Sequence, residues 1–209
     1  MKLLYYTVYV LTNVTARFLG IKVVGLEYIP AAGPFILATN HISHFDPPLA
    51  GSFLPREVCF MAKKELFSNW LLGAVFRRVN ALPIRRGTID RHALELCTDA
   101  LEKELGLVIF PEGTRSKTDD FLPAKAGIGM IARRHPCPVV PGFISGSNRL
   151  LDCLRRRQRL SISFGPPIAP GWIGSVPADK SGYLAIAEEV MSRIRKLRDE
   201  MPRLKEPAV

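Results

Sequence analysis

Histidine and cysteine are scarce in this chain, with four of each among 209 residues. Cys59, Cys97, Cys137 and Cys153 stand far apart, form no CxxC pair and have no cluster of histidines beside them. That spacing argues against a zinc site and against a disulfide framework; it fits a reducing compartment in which all four are packing residues. Acidic residues are also few. Nineteen Asp and Glu stand against 29 Lys and Arg, a formal charge of +10 and a pI near 9.8. The partners implied are anionic: phosphorylated small molecules, acidic lipid surfaces or nucleic acid. No recognised nucleic-acid motif accompanies the charge, so nucleic acid is not an expected partner. No internal repeat or low-complexity tract is present. At 47% hydrophobic and 23% charged, the composition suits one globular α/β domain with a sizeable core.

An uninterrupted membrane span is missing too. Lys2 to Leu19 is apolar and aromatic, but Thr7, Thr12, Asn13, Thr15 and Arg17 break it, whereas a spanning helix wants about 20 predominantly apolar residues. The cysteine usage argues against a signal peptide. Two readings stand: an interfacial helix with tyrosines at headgroup level, or a helix packed on the domain's own core.

What is present begins at Phe35-Ile36-Leu37, an apolar run that feeds Ala38-Thr39-Asn40-His41-Ile42-Ser43-His44-Phe45-Asp46-Pro47-Pro48. Loops at the carboxyl ends of strands are where open α/β sheets place ligand chemistry. If His41 is a base and Asp46 bonds its far ring nitrogen, the carboxylate fixes the tautomer and stabilises the imidazolium. No nucleophile on the protein is indicated, so the attacking hydroxyl belongs to a substrate. Asp46 followed by two prolines is equally a helix start, and His41 alone equally a structural histidine.

A second strand, Leu107 to Phe110, runs into Pro111-Glu112-Gly113-Thr114-Arg115-Ser116. Asn40-His41 with Asp46, and Phe110 to Arg115, resemble the first and third sequence blocks of the glycerolipid acyltransferases, the family of 1-acyl-sn-glycerol-3-phosphate acyltransferase. Ala81-Leu82-Pro83-Ile84-Arg85-Arg86-Gly87 resembles the second block, and Val139-Val140-Pro141-Gly142 the fourth. The blocks occur in the family's order between about Phe35 and Ser145.

The resemblance implies a single-domain, glycerol-3-phosphate acyltransferase-like α/β fold. Its central sheet would be mostly parallel or mixed and flanked by helices, with the acyltransferase domain over 21–209; the apolar segment over 1–20 is expected, from its own residues, as a membrane-associated helix. It implies transfer of a fatty acyl group from acyl-CoA or acyl carrier protein to 1-acylglycerol 3-phosphate, with His41 and Asp46 catalytic and with no metal or other cofactor. The second block implies Arg86 first and Arg85 second as phosphate ligands, since a guanidinium binds phosphate as a fork. For the third block it implies acceptor binding: Arg115 on the phosphate, Glu112 accepting from a glycerol hydroxyl or orienting a basic side chain, and Gly113 and Thr114 close to the substrate. Glycerol 3-phosphate or another lysolipid is an alternative acceptor. A non-catalytic binder of acidic lipid is the alternative of another class. The expected location is the cytoplasmic side of the cell membrane, peripheral or monotopic.

The remaining pattern predicts strands over 22–26, 57–62, 138–145 and 160–164. It predicts helices over 89–104, 125–134 and 183–198, and a proline- and glycine-rich loop over 165–178. A helical stripe including Leu66, Phe67, Trp70, Leu71, Leu72, Val75 and Phe76 is expected mostly as core, with an acyl groove or lipid contact as the alternative. Arg149 to Arg159 carries five arginines among leucines, an amphipathic helix or hairpin suited to acidic lipid. Lys125 is expected to be an exposed lysine, with a place facing the anionic pocket, which the resemblance implies, as the alternative.

Overall fold

The apolar runs pair into one sheet. The computed structural model describes residues 2–85, 91–118 and 120–201. Within them the strands are β1 (Lys22–Val24), β2 (Phe35–Thr39), β3 (Val58–Lys63), β4 (Ala81–Ile84), β5 (Gly106–Ile109), β6 (Val139–Ser145) and β7 (Ser161–Phe164). Their order across the sheet is β1-β7-β6-β2-β5-β3-β4. Every pairing is parallel except β6 with β7. The carboxyl ends of β2 to β6 therefore share one rim, and the reversal into β7 starts there as well.

Helices cover both faces, which is why β2 and β5 read as continuous apolar runs and are buried along their whole length. The helices are α1 (Lys2–Phe18), α2 (Asp46–Ser52), α3 (Trp70–Arg78), α4 (Arg91–Glu102), α5 (Gly127–Arg134), α6 (Leu150–Leu154), α7 (Pro170–Ser175) and α8 (Lys180–Glu200). On one face Leu101, Ile128, Ile131, Ile173, Ile186, Val190 and Ile194 join α4, α5, α7 and α8 in a single cluster; on the other, Ala16, Leu49, Phe53 and Cys153 bring in α1, α2 and α6. At the base of β5 a Cβ on Gly106 would lie 2.4 Å from the Phe35 ring and 2.7 Å from Val58, so both neighbouring strands depend on glycine there.

Sequence and structure differ at several elements. The 165–178 loop contains α7, because Pro170 sits in the first helical turn, where its missing N–H costs nothing. Residues 149–159 form only the short α6 within the β6–β7 connection. Phe110 lies just past β5. The stripe at 66–76 is not core: a 3-10 turn over Lys64–Phe67 precedes α3, whose start is capped by Asn69 accepting from Leu71 and Leu72. Trp70 is 79% exposed and Leu71 57%. A helical period marks an apolar face without saying what covers it. Gly87, the expected start of the next helix at 89 and the polar tail after 201 lie outside the described residues.

α1 packs on the domain and keeps an apolar face exposed. Its inner stripe buries Tyr5 and Ala16, while the Tyr9 hydroxyl donates to Leu54 O (3.0 Å) and Asn13 Nδ2 donates to Ser52 O (2.8 Å). Asn13, one of the residues that interrupt the apolar run, thus helps Tyr9 dock the helix on the end of α2. Leu3, Val10, Leu11, Val14 and Phe18 are exposed. No helix among the described residues is long and apolar enough to cross a membrane.

Candidate active site

The rim is built by two loops. At the end of β2 the Asn40 side chain donates to Ile144 O (2.9 Å) and accepts from Ile144 N (2.8 Å), clamping the loop to β6. His41 follows, 5% exposed, its ring stacked on Phe110 with centroids 4.0 Å apart. Its Nδ1 lies 2.8 Å from Asp46 Oδ2. The same oxygen accepts from the N–H groups of Ile42 and Ser43, both at 2.7 Å, and Oδ1 accepts from Ser147 Oγ at 2.6 Å. Asp46 is completely buried at the first turn of α2, yet it turns back onto the preceding loop instead of capping its own helix. Four donors surround this carboxylate, the arrangement that compensates a buried charge.

A carboxylate can only accept, so Nδ1 carries the proton and the Nε2 lone pair is left for a substrate. Asp46 thus does for the imidazole what the third member of a triad does: it fixes the ring and its tautomer.

The second loop encloses the backbone of His41. Glu112 Oε1 accepts from His41 N (3.0 Å) and Oε2 from Leu122 N (2.9 Å), while His41 O accepts from Ser116 N (2.8 Å). Glu112 is 1% exposed. Burial pushes its carboxyl above the ordinary value, opposed in part by the N–H groups of Leu122 and His41. The sequence suggested a glycerol hydroxyl or a basic side chain as the partner of Glu112; the structure gives both oxygens to the backbone. The N–H of Gly113 donates to Phe110 O (3.0 Å), and those of Ile42 and Ser43 serve Asp46, so all three are committed within the protein.

Gly113 takes a left-handed φ of 69°, which lets the chain double back past Lys125. Gly113, Thr114 and Arg115 are exposed on this second loop, and Arg85 is exposed at the end of β4. Arg86 lies outside the described residues. Behind Gly113 and Thr114 opens a cavity of about 610 Å³ on the α4–α5 side of the sheet. Arg85 and the exposed Lys125 stand among the residues around it; Met61, Leu94, Ile109, Ile128 and Ile131 give its apolar walls. α3 contributes nothing to that lining.

Sequence reasoning missed Ser147, Phe110 and the clamp role of Asn40. Ser147 stands 101 positions from Asp46. The available signal was its place just beyond β6, since parallel strands deliver their following residues to a common rim. Among the described residues no group of three or more His, Cys, Asp or Glu is placed to hold a metal ion.

Residues 20–145 match the family model described as Acyltransferase. The chain is 28% identical over 186 residues to the 1-acyl-sn-glycerol-3-phosphate acyltransferase of Bacillus subtilis, covering 88% of this chain and 92% of that one. It is 29% identical over 168 residues to the enzyme of the same name from Streptococcus pneumoniae, covering 79% of this chain and 61% of that one. Among solved structures, the 1-acyl-sn-glycerophosphate acyltransferase PlsC of Thermotoga maritima superposes with a TM-score of 0.67 at 26% identity, over 90% of this chain and 79% of that chain.

Proposed function

The chain belongs to the Acyltransferase family, and from that premise we propose that it moves a fatty acyl group from a thioester to the free hydroxyl of 1-acyl-sn-glycerol 3-phosphate, forming phosphatidate for phospholipid synthesis. The observation that carries this reading is the His41–Asp46 pair, buried and aimed, on the rim that also opens an apolar cavity flanked by cationic side chains.

The hydroxyl gives its proton to Nε2 of His41 as its oxygen attacks the thioester carbonyl. Asp46 stabilises the imidazolium through Nδ1. Collapse of the tetrahedral intermediate breaks the C–S bond, and the imidazolium returns the proton to the departing thiolate. Arg115 and Arg85, with Arg86, hold the acceptor phosphate. The cavity takes an acyl chain, each buried CH₂ adding about 0.8 kcal/mol. The donor is acyl-CoA or acyl carrier protein. The outward apolar stripe of α1 and the exposed Trp70 and Leu71 of α3 meet the bilayer, where this amphiphilic acceptor resides, from the cytoplasmic side.

The test is thiol release by purified protein across a panel of donors and acceptors. Lysophosphatidate gives the fastest release, and His41→Ala lowers the rate by about two to four orders of magnitude. Undiminished activity in His41→Ala overturns the mechanism; faster turnover of glycerol 3-phosphate or another lysolipid overturns the acceptor.

A further inference from the structure

The rim has a second concave surface, away from the base. Where β6 reverses into β7, Arg156, Arg157 and Arg159 converge with Lys22, the first residue of β1, around a cavity of about 320 Å³. Ser145, Ser161, Gln158 and Met201 complete its lining. The backbone imposes this convergence. Arg156 adopts a left-handed φ of 57°, and the N–H groups of Arg157 and Gln158 both turn back to Asp152 O, at 2.8 and 3.3 Å. Gly146, at φ +83°, lies so close to the returning strand that a Cβ would meet Arg159 O at 2.5 Å. Cations gathered in a concavity repel one another and raise the local concentration of anions.

An apolar feature adjoins this basic one. α6 buries Cys153 against the sheet, yet Leu151 is 69% exposed and Leu154 55%, one turn apart on the outer side. α1 lies in the same layer, and its outward stripe ends at Phe18, 80% exposed, four residues before Lys22. Cations beside protruding apolar side chains match a bilayer surface, with guanidinium groups at the phosphates and leucines below them. A soluble anion makes no use of the leucines.

We propose that the β6–β7 hairpin is a docking surface for an anionic bilayer. Arg156, Arg157 and Arg159 receive the phosphates of acidic lipid, and Leu151 and Leu154 enter the acyl layer. The proposal deepens the acyltransferase reading and rests on it in one respect: the product is itself an acidic lipid, so its accumulation strengthens docking beside the site.

Co-sedimentation of the full chain with phosphatidylcholine vesicles, with and without phosphatidate, tests this in the absence of any donor. Wild-type protein binds the phosphatidate vesicles more tightly, and R156Q/R157Q/R159Q binds them about a hundredfold more weakly. R156K/R157K/R159K retains most of the binding, and L151S/L154S loses about tenfold with its charge intact. Thiol release with a monomeric short-chain lysophosphatidate stays at the wild-type rate in all three variants, which also shows that they fold. Equal sedimentation of wild type and R156Q/R157Q/R159Q overturns the proposal. So does displacement from the vesicles by inorganic phosphate at low concentration, which marks a soluble-anion site. Loss of acyl-carrier-protein binding in the glutamine variant with vesicle binding kept overturns it as well. Phosphatidate-dependent binding with no thiol release from any donor and acceptor leaves docking standing and removes the reaction instead.

Discussion

Glu112→Gln separates a scaffold from a substrate ligand. In the native rim the two carboxylate oxygens accept from His41 N and Leu122 N at 3.0 and 2.9 Å, in a site only 1% exposed. Glutamine keeps the shape but has one accepting oxygen, so one of those N–H groups faces an NH₂. A hydrogen bond to a charged acceptor contributes about 1.5–3 kcal/mol, and a buried donor without a partner costs about 1–3 kcal/mol. Removing a carboxylate that burial already disfavours offsets part of this. A net loss of about 2–3 kcal/mol follows, or roughly 4–12 °C in melting temperature for a chain of this size. The assay pairs a thermal melt with thiol-release kinetics. Because Glu112 acts on the peptide that holds the base, kcat falls while KM for the acceptor changes by less than about threefold. An unchanged melting temperature with a KM raised about tenfold or more would refute this reasoning and make Glu112 a ligand of the glycerol.

Ser147→Ala leaves Asp46 Oδ1 without its 2.6 Å donor inside a fully buried site. A loss of about 2 kcal/mol in urea unfolding is expected, with a smaller fall in kcat than in His41→Ala, and threonine restores both. The buried cysteines predict an alkaline limit to stability. Burial raises the thiols of Cys59 to about 11 and of Cys97 and Cys137 to about 12, from an ordinary 9.0. The folded chain keeps these protons where the unfolded chain releases them, so their contribution is whole below about pH 9 and is lost as pH rises towards 12. Melts across that range and thiolate absorbance in the native protein check it.

The parts of the molecule that were legible in the sequence are those in which neighbouring residues cooperate. β2, β5 and β6 announced themselves as apolar runs, and His41 and Asp46 are close enough in the chain for their 2.8 Å contact to be expected. The partners of Glu112 are backbone groups, which no side-chain pattern advertises, and its distant one lies 71 positions away. The exposure of α3 was hidden for another reason: Trp70, Leu71 and Val75 obey the same period whether protein or lipid covers them. Asn13 counted as a polar break against a span, yet with Tyr9 it docks α1 by donating to the carbonyls of Ser52 and Leu54.

Both peptide groups of His41 are fastened to the loop that follows β5, its N–H through Glu112 and its carbonyl through Ser116. The imidazole and this loop are therefore fastened to each other at two points. They form one pre-assembled bracket, so that in the proposed reaction it is the lipid that is brought to the imidazole.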